Sequence, residues 1–433
     1  MVMSTLSCTV LPAPVESPHP LPEDGTVAVE SERWVTNRLV ELQLRSPAVG
    51  HTAARLLLPE GYDDQPGRTW PVLYLLHGGG GGFRDWSTST DLPALIGDRG
   101  VIVVMPDGGP GATYLNWVFD SPVGRPQWET FHLVELRNLL RHRYRAGEQL
   151  AVAGLSAGAF GAVSYAARHP DLFAATASFS GNLDTRDDDV VGPFLSAAVT
   201  YVLERTTPLG DPYTHEVRWR GHNPLDLAPN LRDVDVFVSG GTGEYGALDP
   251  PLTLPDYLTL ESSTYRRSRN FVARMQALGL GVVTDFYGNG THSFRYWGRE
   301  LGRALPMLMD ALERDRPAPA SFTFRSVDDR FDVWGWRFEV SGRRALAFTD
   351  VQVEPGRIEA TGDGVLAVTT PPQFEPHATY DTGAERVVAD GAGRLRFRME
   401  LGDTAEDYST GPDLPGPRPT GPPTVADLRR VNP

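Results

Sequence analysis

The chain of 433 residues has a single cysteine, Cys8, so no internal disulfide can form, and cysteine pairing gives no guide to the compartment. No uninterrupted apolar run of about 20 residues occurs, which removes the ordinary transmembrane helix. Cationic residues are in deficit: 40 Lys+Arg stand against 55 Asp+Glu, a formal net charge of −15. That sign argues against nucleic acid or an anionic membrane as main partner, because both are held through clustered Lys and Arg. The opening "MVMSTLSCTVLPAP" is too short and too uncharged to read as a secretory signal, which leaves a cytoplasmic location open.

What is present is a globular composition, 40% hydrophobic and 22% charged, on a length that suggests two or three domains. Residues 1–25, rich in Pro, Ser and Glu, read as a flexible arm. Alternating segments at 35–44 and 51–59 are expected strands with a turn between them. "WPVLYLLHGGGGGF" (70–83), "GVIVVMPDGG" (100–109), "QLAVAG" (149–154), "LFAATASFSG" (172–181), "VDVFVSGG" (234–241) and "GVVTDFYG" (281–288) are short apolar runs of the kind buried on both faces of a sheet. Helical spacing appears at 128–144, after Ser156, and at roughly 256–278. Strands alternating with helices predict an α/β fold with a mostly parallel sheet over 26–315. Residues 182–233 break the rhythm and are expected to form an insertion or lid. After 320 the pattern changes to short alternating runs. "VWGWRFEV" places Trp334, Trp336, Phe338 and Val340 on one face, and "LRFRMEL" does the same with Leu395, Phe397, Met399 and Leu401. This predicts a small antiparallel β-sandwich over 320–403, followed by a Pro/Gly-rich disordered tail, 404–433.

The chemistry concentrates in "AVAGLSAGAF" (151–160). Gly154 and Gly158 flank Ser156 two positions away on either side, between an apolar strand and a small-residue helix. A serine at the apex of such a sharp turn projects its hydroxyl from the sheet, and bulky neighbours at those two positions would clash. G-x-S-x-G alone is a weak signal in a chain with 45 glycines; its strand–helix setting sharpens it. The hydroxyl needs a base. His292, in a glycine-bracketed loop after the last strand of the α/β region, is the candidate. His132, His142 and His169 lie on helical segments and are expected to be solvated; His215 and His222 fall in the lid. The acid expected after "VDVFVSGG" is Glu244 or Asp249. The N–H groups of Gly79 and Ala157 are the candidate oxyanion donors. His77, Trp86, Trp117 and Phe294 are candidates around the pocket, with His77 expected to orient the glycine loop.

Several blocks together resemble the esterase D superfamily, and within it the antigen 85 mycolyltransferases and their esterase relatives. "GVIVVMPDGG", "YLNW", "QWETFHLVELRNLL", "GLSAGAFGAV", "GHNPLDLAPNLRDVDVFVSGG" and "GNGTHSFRYWGREL" follow in order over roughly residues 30–312. The resemblance implies an α/β-hydrolase fold and a Ser–Glu–His triad, with Glu261 of "TLESS" as the acid. It also implies secretion. Two departures stand out. The mycolyltransferases have an aspartate at the His77 position and lack the glycine run, and they carry a tryptophan where this chain has Phe294. Both differences weaken the expectation of sugar mycolylation.

The resulting expectation is a serine esterase acting on a small-molecule or lipid acyl ester, with no metal or cofactor. An acyltransferase moving the acyl group to a sugar or other alcohol is the alternative. A non-catalytic binding protein on a hydrolase scaffold is the third reading.

Overall fold

The computed structural model describes residues 26–120, 124–186, 207–212, 214–251, 260–402, 404–405, 418–419 and 422–431. Its centre is a nine-stranded sheet: β1 (Ala28–Trp34), β2 (Leu39–Ser46), β3 (Gly50–Leu57), β4 (Trp70–Leu76), β5 (Ile102–Pro106), β6 (Ala146–Leu155), β7 (Phe173–Phe179), β8 (Asp235–Gly240) and β9 (Val283–Phe286). The order is β1-β2-β3-β5-β4-β6-β7-β8-β9. Strands β1, β2, β3 and β5 pair antiparallel, and every pair from β5 through β9 is parallel. This is the α/β-hydrolase arrangement.

Period-2 alternation sends the side chains of the central strands into two separate cores. Val72, Tyr74 and Leu76 of β4 join a core with Phe131, Leu136, Ala162 and Tyr165 from the helical run 128–144 and the helix Ala157–Arg168. Leu73 and Leu75 face the opposite core, with Trp86 and with Trp297, Leu301 and Leu305 of the helix Phe294–Glu313. Helices therefore cover both faces, which is why β4, β5 and β7 read as continuous apolar runs. Among the described residues, no helix is long and apolar enough to cross a membrane.

The C-terminal region holds two four-stranded antiparallel sheets around a third core. One comprises Phe322–Ser326, Thr349–Glu354, Arg357–Thr361 and Thr424–Asp427; the other Arg330–Val333, Trp336–Ser341, Gly364–Thr369 and Arg396–Gly402. Leu395, Phe397, Met399 and Leu401 all point inward. Two expectations need correction. Thr424–Asp427 falls in the stretch expected to be a disordered tail, yet pairs with Arg357–Thr361 and buries Ala426. Trp334 is not a strand residue. With Gly335 it forms a two-residue hairpin turn, φ 51° and 81°, between the paired residues Val333 and Trp336.

The stretch read as a lid is only partly described; 187–206 and 213 lie outside the described residues. The segment from His222 to Asn230 lies against the flank and far end of helix 157–168, away from Ser156. Ser164 Oγ donates to His222 O (3.0 Å), and Asn230 Nδ2 donates to Ala167 O (2.9 Å). The β-region docks at that far end. Asn230 brackets the Arg325 backbone through both N–H (2.9 Å) and C=O (3.0 Å), and Arg168 pairs with Asp328 at 3.0 Å.

Candidate active site

Ser156 joins β6 to helix 157–168 with φ 54° and ψ −120°, a conformation costly for a residue with a Cβ. The flanking glycines are demanded by close approach. A Cβ on Gly154 would lie 2.1 Å from Gly158 O, and one on Gly158 would lie 2.4 Å from His77 O and 2.5 Å from Leu76 O. Helix, strand and glycine loop thus meet backbone to backbone at the serine.

Glu261 opens the helix Glu261–Ala277, and its side chain is fully buried. Its Oε2 lies 2.6 Å from Nδ1 of His292. Its Oε1 accepts from Gly241 N–H (2.7 Å), Ser180 Oγ (2.8 Å) and Tyr287 OH (3.3 Å). Four partners satisfy both oxygens, as a buried carboxylate requires. Burial and the adjacent Glu261 charge push the Tyr287 hydroxyl pKa well up, so it stays a donor. With Nδ1–H given to Glu261, the neutral imidazole carries its lone pair on Nε2. The His292 ring also sits edge-on to Trp297 at 4.8 Å, and Trp297 Nε1 donates to Ser180 Oγ (3.0 Å).

The two rival acids are placed differently. Glu244 is exposed. Asp249 is buried, but its carboxylate accepts from Gly246 N–H (2.7 Å), Tyr296 OH (3.0 Å) and Thr291 Oγ1.

The glycine loop passes directly over the serine: a Cβ on Gly78 would be 3.2 Å from Ser156 Cβ. Gly80 N–H bonds Pro110 O, Gly81 N–H bonds Gly78 O, and Gly82 N–H bonds Asp85 Oδ2. Among the described residues, the N–H groups of Gly79 and Ala157 have no acceptor. His77 is 1% exposed and wholly engaged. Its Nδ1 pairs with Gly78 O (2.8 Å), its Nε2 accepts from Gly108 N–H (2.9 Å), and its carbonyl accepts from Tyr114 OH (2.9 Å). Both ring nitrogens and the carbonyl thus tie it to its surroundings.

Trp86 and Trp117 are buried in opposite cores, their indole N–H groups bonded to Leu76 O and Thr113 Oγ1 respectively. Phe294, half-buried, packs edge-on against Trp86 and Trp297. Of these three, Phe294 is nearest to His292 in the chain.

His132 corrects an expectation. It is fully buried rather than solvated, its Nε2 against Asp107 O (2.7 Å) and its Nδ1 against Tyr165 OH (2.9 Å); burial pushes its pKa down to about 4. His169 is half-buried on Glu129 at 2.6 Å, and His222 is buried with its pKa also lowered to about 4 by burial. His142 stays near solvent. Sequence reasoning missed Ser180, Tyr287 and Trp297. Ser180 had a readable signal: it follows β7, whose Phe179 pairs with Leu155 beside the elbow.

The "Putative esterase" family matches residues 49–308. Esterase Rv1288 of Mycobacterium tuberculosis (strain ATCC 25618 / H37Rv) is 37% identical over 214 residues, covering 47% of this chain and 46% of that protein. The chain thus spans about half the length of that relative. The diacylglycerol acyltransferase/mycolyltransferase Ag85B of Mycolicibacterium smegmatis is 32% identical over 260 residues, 56% of this chain and 77% of that protein. Among solved structures, Mycobacterium tuberculosis MPT51 (FbpC1) superposes with TM-score 0.52 at 25% identity, covering 63% of this chain and 98% of that one. An S-formylglutathione hydrolase from Agrobacterium tumefaciens superposes with TM-score 0.53 at 15% identity, covering 66% and 99%, a likeness of fold.

Proposed function

This chain belongs to that esterase family, and on that premise we propose that it is a serine esterase that cleaves carboxylic esters through an acyl-enzyme on Ser156. The observation that carries the reading is the pairing of a buried Glu261 with His292 Nδ1, together with a serine held in a strained strand-to-helix turn. In the first half-reaction His292 Nε2 takes the Ser156 proton as Oγ bonds to the ester carbonyl carbon. The C=O π-electrons move to oxygen, where the N–H groups of Gly79 and Ala157 receive the charge. The alkoxide leaves with the proton from His292. Water then attacks the acyl-serine by the same route, releasing the acid and restoring Ser156. Glu261 holds the Nδ1–H and stabilises the imidazolium. The substrate is a small-molecule or lipid acyl ester.

The test is labelling by a fluorophosphonate probe together with turnover of an aryl acetate. Wild type should be labelled at Ser156 and turn over; Ser156→Ala should do neither. Retention of more than about a tenth of the wild-type rate by that variant would sink the proposal.

A second reading, acyl transfer to a sugar or other alcohol, is favoured by the likeness to Ag85B. The acyl-enzyme is common to both reactions. The glycine run and Phe294, departures from the mycolyltransferase pattern, support water as the default acceptor.

A further inference from the structure

We propose that Asp249 is a positioning residue for His292, holding the histidine's loop through the residues that flank it; this role rests on the esterase reading above. Asp249 lies in the irregular loop after β8 and is 7% exposed, while Glu244 and Tyr245 in the same loop face solvent. It does not touch the imidazole. Its carboxylate instead gathers the residues on both sides of it. Thr291, immediately before His292, donates through Oγ1 to Oδ1, and Tyr296, in the first turn of the helix that follows, donates through its OH to Oδ2 at 3.0 Å. Gly246 N–H adds a third donor at 2.7 Å. Thr291 and Tyr296 are both buried.

These bonds close a ring. Tyr296 stacks on Tyr287, with centroids 5.1 Å apart and planes 5° from parallel. Tyr287 OH reaches Glu261 Oε1 at 3.3 Å, and Glu261 Oε2 reaches His292 at 2.6 Å. Thr291 then returns to Asp249. His292 is thereby tied to one carboxylate through its ring and to a second through its backbone. A general base works only when its nitrogen is within hydrogen-bond reach of the proton it removes. Glu261 restrains the ring about one nitrogen; the Thr291 tether restrains where the Cα sits. The hydroxyl of residue 291, rather than its bulk, carries this role.

The test uses the full chain with Asp249→Asn, Thr291→Val, Thr291→Ser and the Asp249→Asn/Thr291→Val double variant. Readouts are kcat and KM on an aryl acetate, the rate of fluorophosphonate labelling, and Tm. Thr291→Val and Asp249→Asn should each lower kcat roughly 10- to 100-fold with KM within about twofold, the cost of a small misplacement of the base. Thr291→Ser should restore most of the rate. The double variant should be no slower than the worse single, because both remove one tether. Folded Thr291→Val with wild-type kcat overturns the proposal. So do equal losses in Thr291→Val and Thr291→Ser, a change confined to KM, or additive losses. If Asp249→Asn fails to fold, the Thr291 pair alone decides. A wild type that takes up no fluorophosphonate overturns the esterase reading itself; a labelled wild type with unaffected variants overturns only the role of Asp249.

Discussion

Glu261 Oε2 lies 2.6 Å from Nδ1 of His292, across 31 residues of chain, and its other oxygen is saturated by Gly241, Ser180 and Tyr287. A carboxylate held this way cannot swing off the ring. The pair is therefore a fixed unit, and its loss should read as a loss of chemistry.

On the proposed mechanism, Glu261→Gln keeps the bulk and removes the charge assigned to stabilising the imidazolium. We expect kcat to fall by about two orders of magnitude or more with little change in KM. Glu244→Gln, at an exposed position, should stay close to wild type. Steady-state kinetics on one activated ester decides the matter; a Glu244→Gln loss matching that of Glu261→Gln contradicts the assignment.

Gly158→Ala should be among the most damaging single-methyl changes in the chain. Its Cβ would meet two carbonyl oxygens at 2.4 and 2.5 Å, both backbone, so strand and helix must separate. The expected cost is about 3 kcal/mol or more, with activity lost. Gly82→Ala, with open space around its Cβ and an ordinary φ, is the control and should be tolerated. Thermal melts of both variants give the comparison.

The C-terminal region packs at the end of helix 157–168 remote from Ser156, and supplies no contact to Glu261 or His292 among those described above. Asp328 is nevertheless a partner of the half-buried Arg168, which otherwise retains Glu129. A chain ending at Glu313 should keep kcat on a small ester within a few-fold while its Tm drops by several degrees. A folded but inactive truncation shows that the β-region contributes to the site.

Acid should weaken the fold through His132. Burial lowers its pKa from 6.5 to about 4, so the unfolded chain binds a proton that the folded chain refuses between those values. Stability is then full above about pH 6.5 and is lost as pH falls toward 4, by roughly 3 kcal/mol from this group at one pKa unit per 1.36 kcal/mol. Denaturant unfolding of wild type and His132→Phe at pH 7, 5.5 and 4.5 tests the sign. The variant is less stable at pH 7, having lost two hydrogen bonds, but its stability should depend less on pH. Parallel profiles would contradict the assignment to His132.

Hydrolysis should dominate over transfer. With an acyl ester and a high concentration of trehalose, we expect free acid as the main product. Acylated sugar as the major product at modest sugar concentration reverses that reading.

Short-range physics made much of this protein legible from its sequence alone. Continuous apolar runs separated by helical periods specify a two-sided parallel sheet, because each face must be covered. Gly154 and Gly158 announce a turn that only missing side chains permit, and His292 follows the last parallel strand. The tertiary structure decided what depends on convergence between distant segments. Glu261 and Asp249 are both buried acids, and nothing local says which one meets the imidazole. That is settled by helix 261–277 starting beside the end of β8, where Gly241 N–H reaches the Glu261 carboxylate. His132 lies on a helix whose period does not reveal that Trp128, Tyr114 and Tyr165 surround it. Thr424–Asp427, amid prolines and glycines, is a strand only because Arg357–Thr361 offers it an edge. Local sequence encodes what a segment can become through sterics and period; which partner it meets is decided by long-range packing, where the desolvation of a charge or the pairing of a backbone edge selects among several locally acceptable choices.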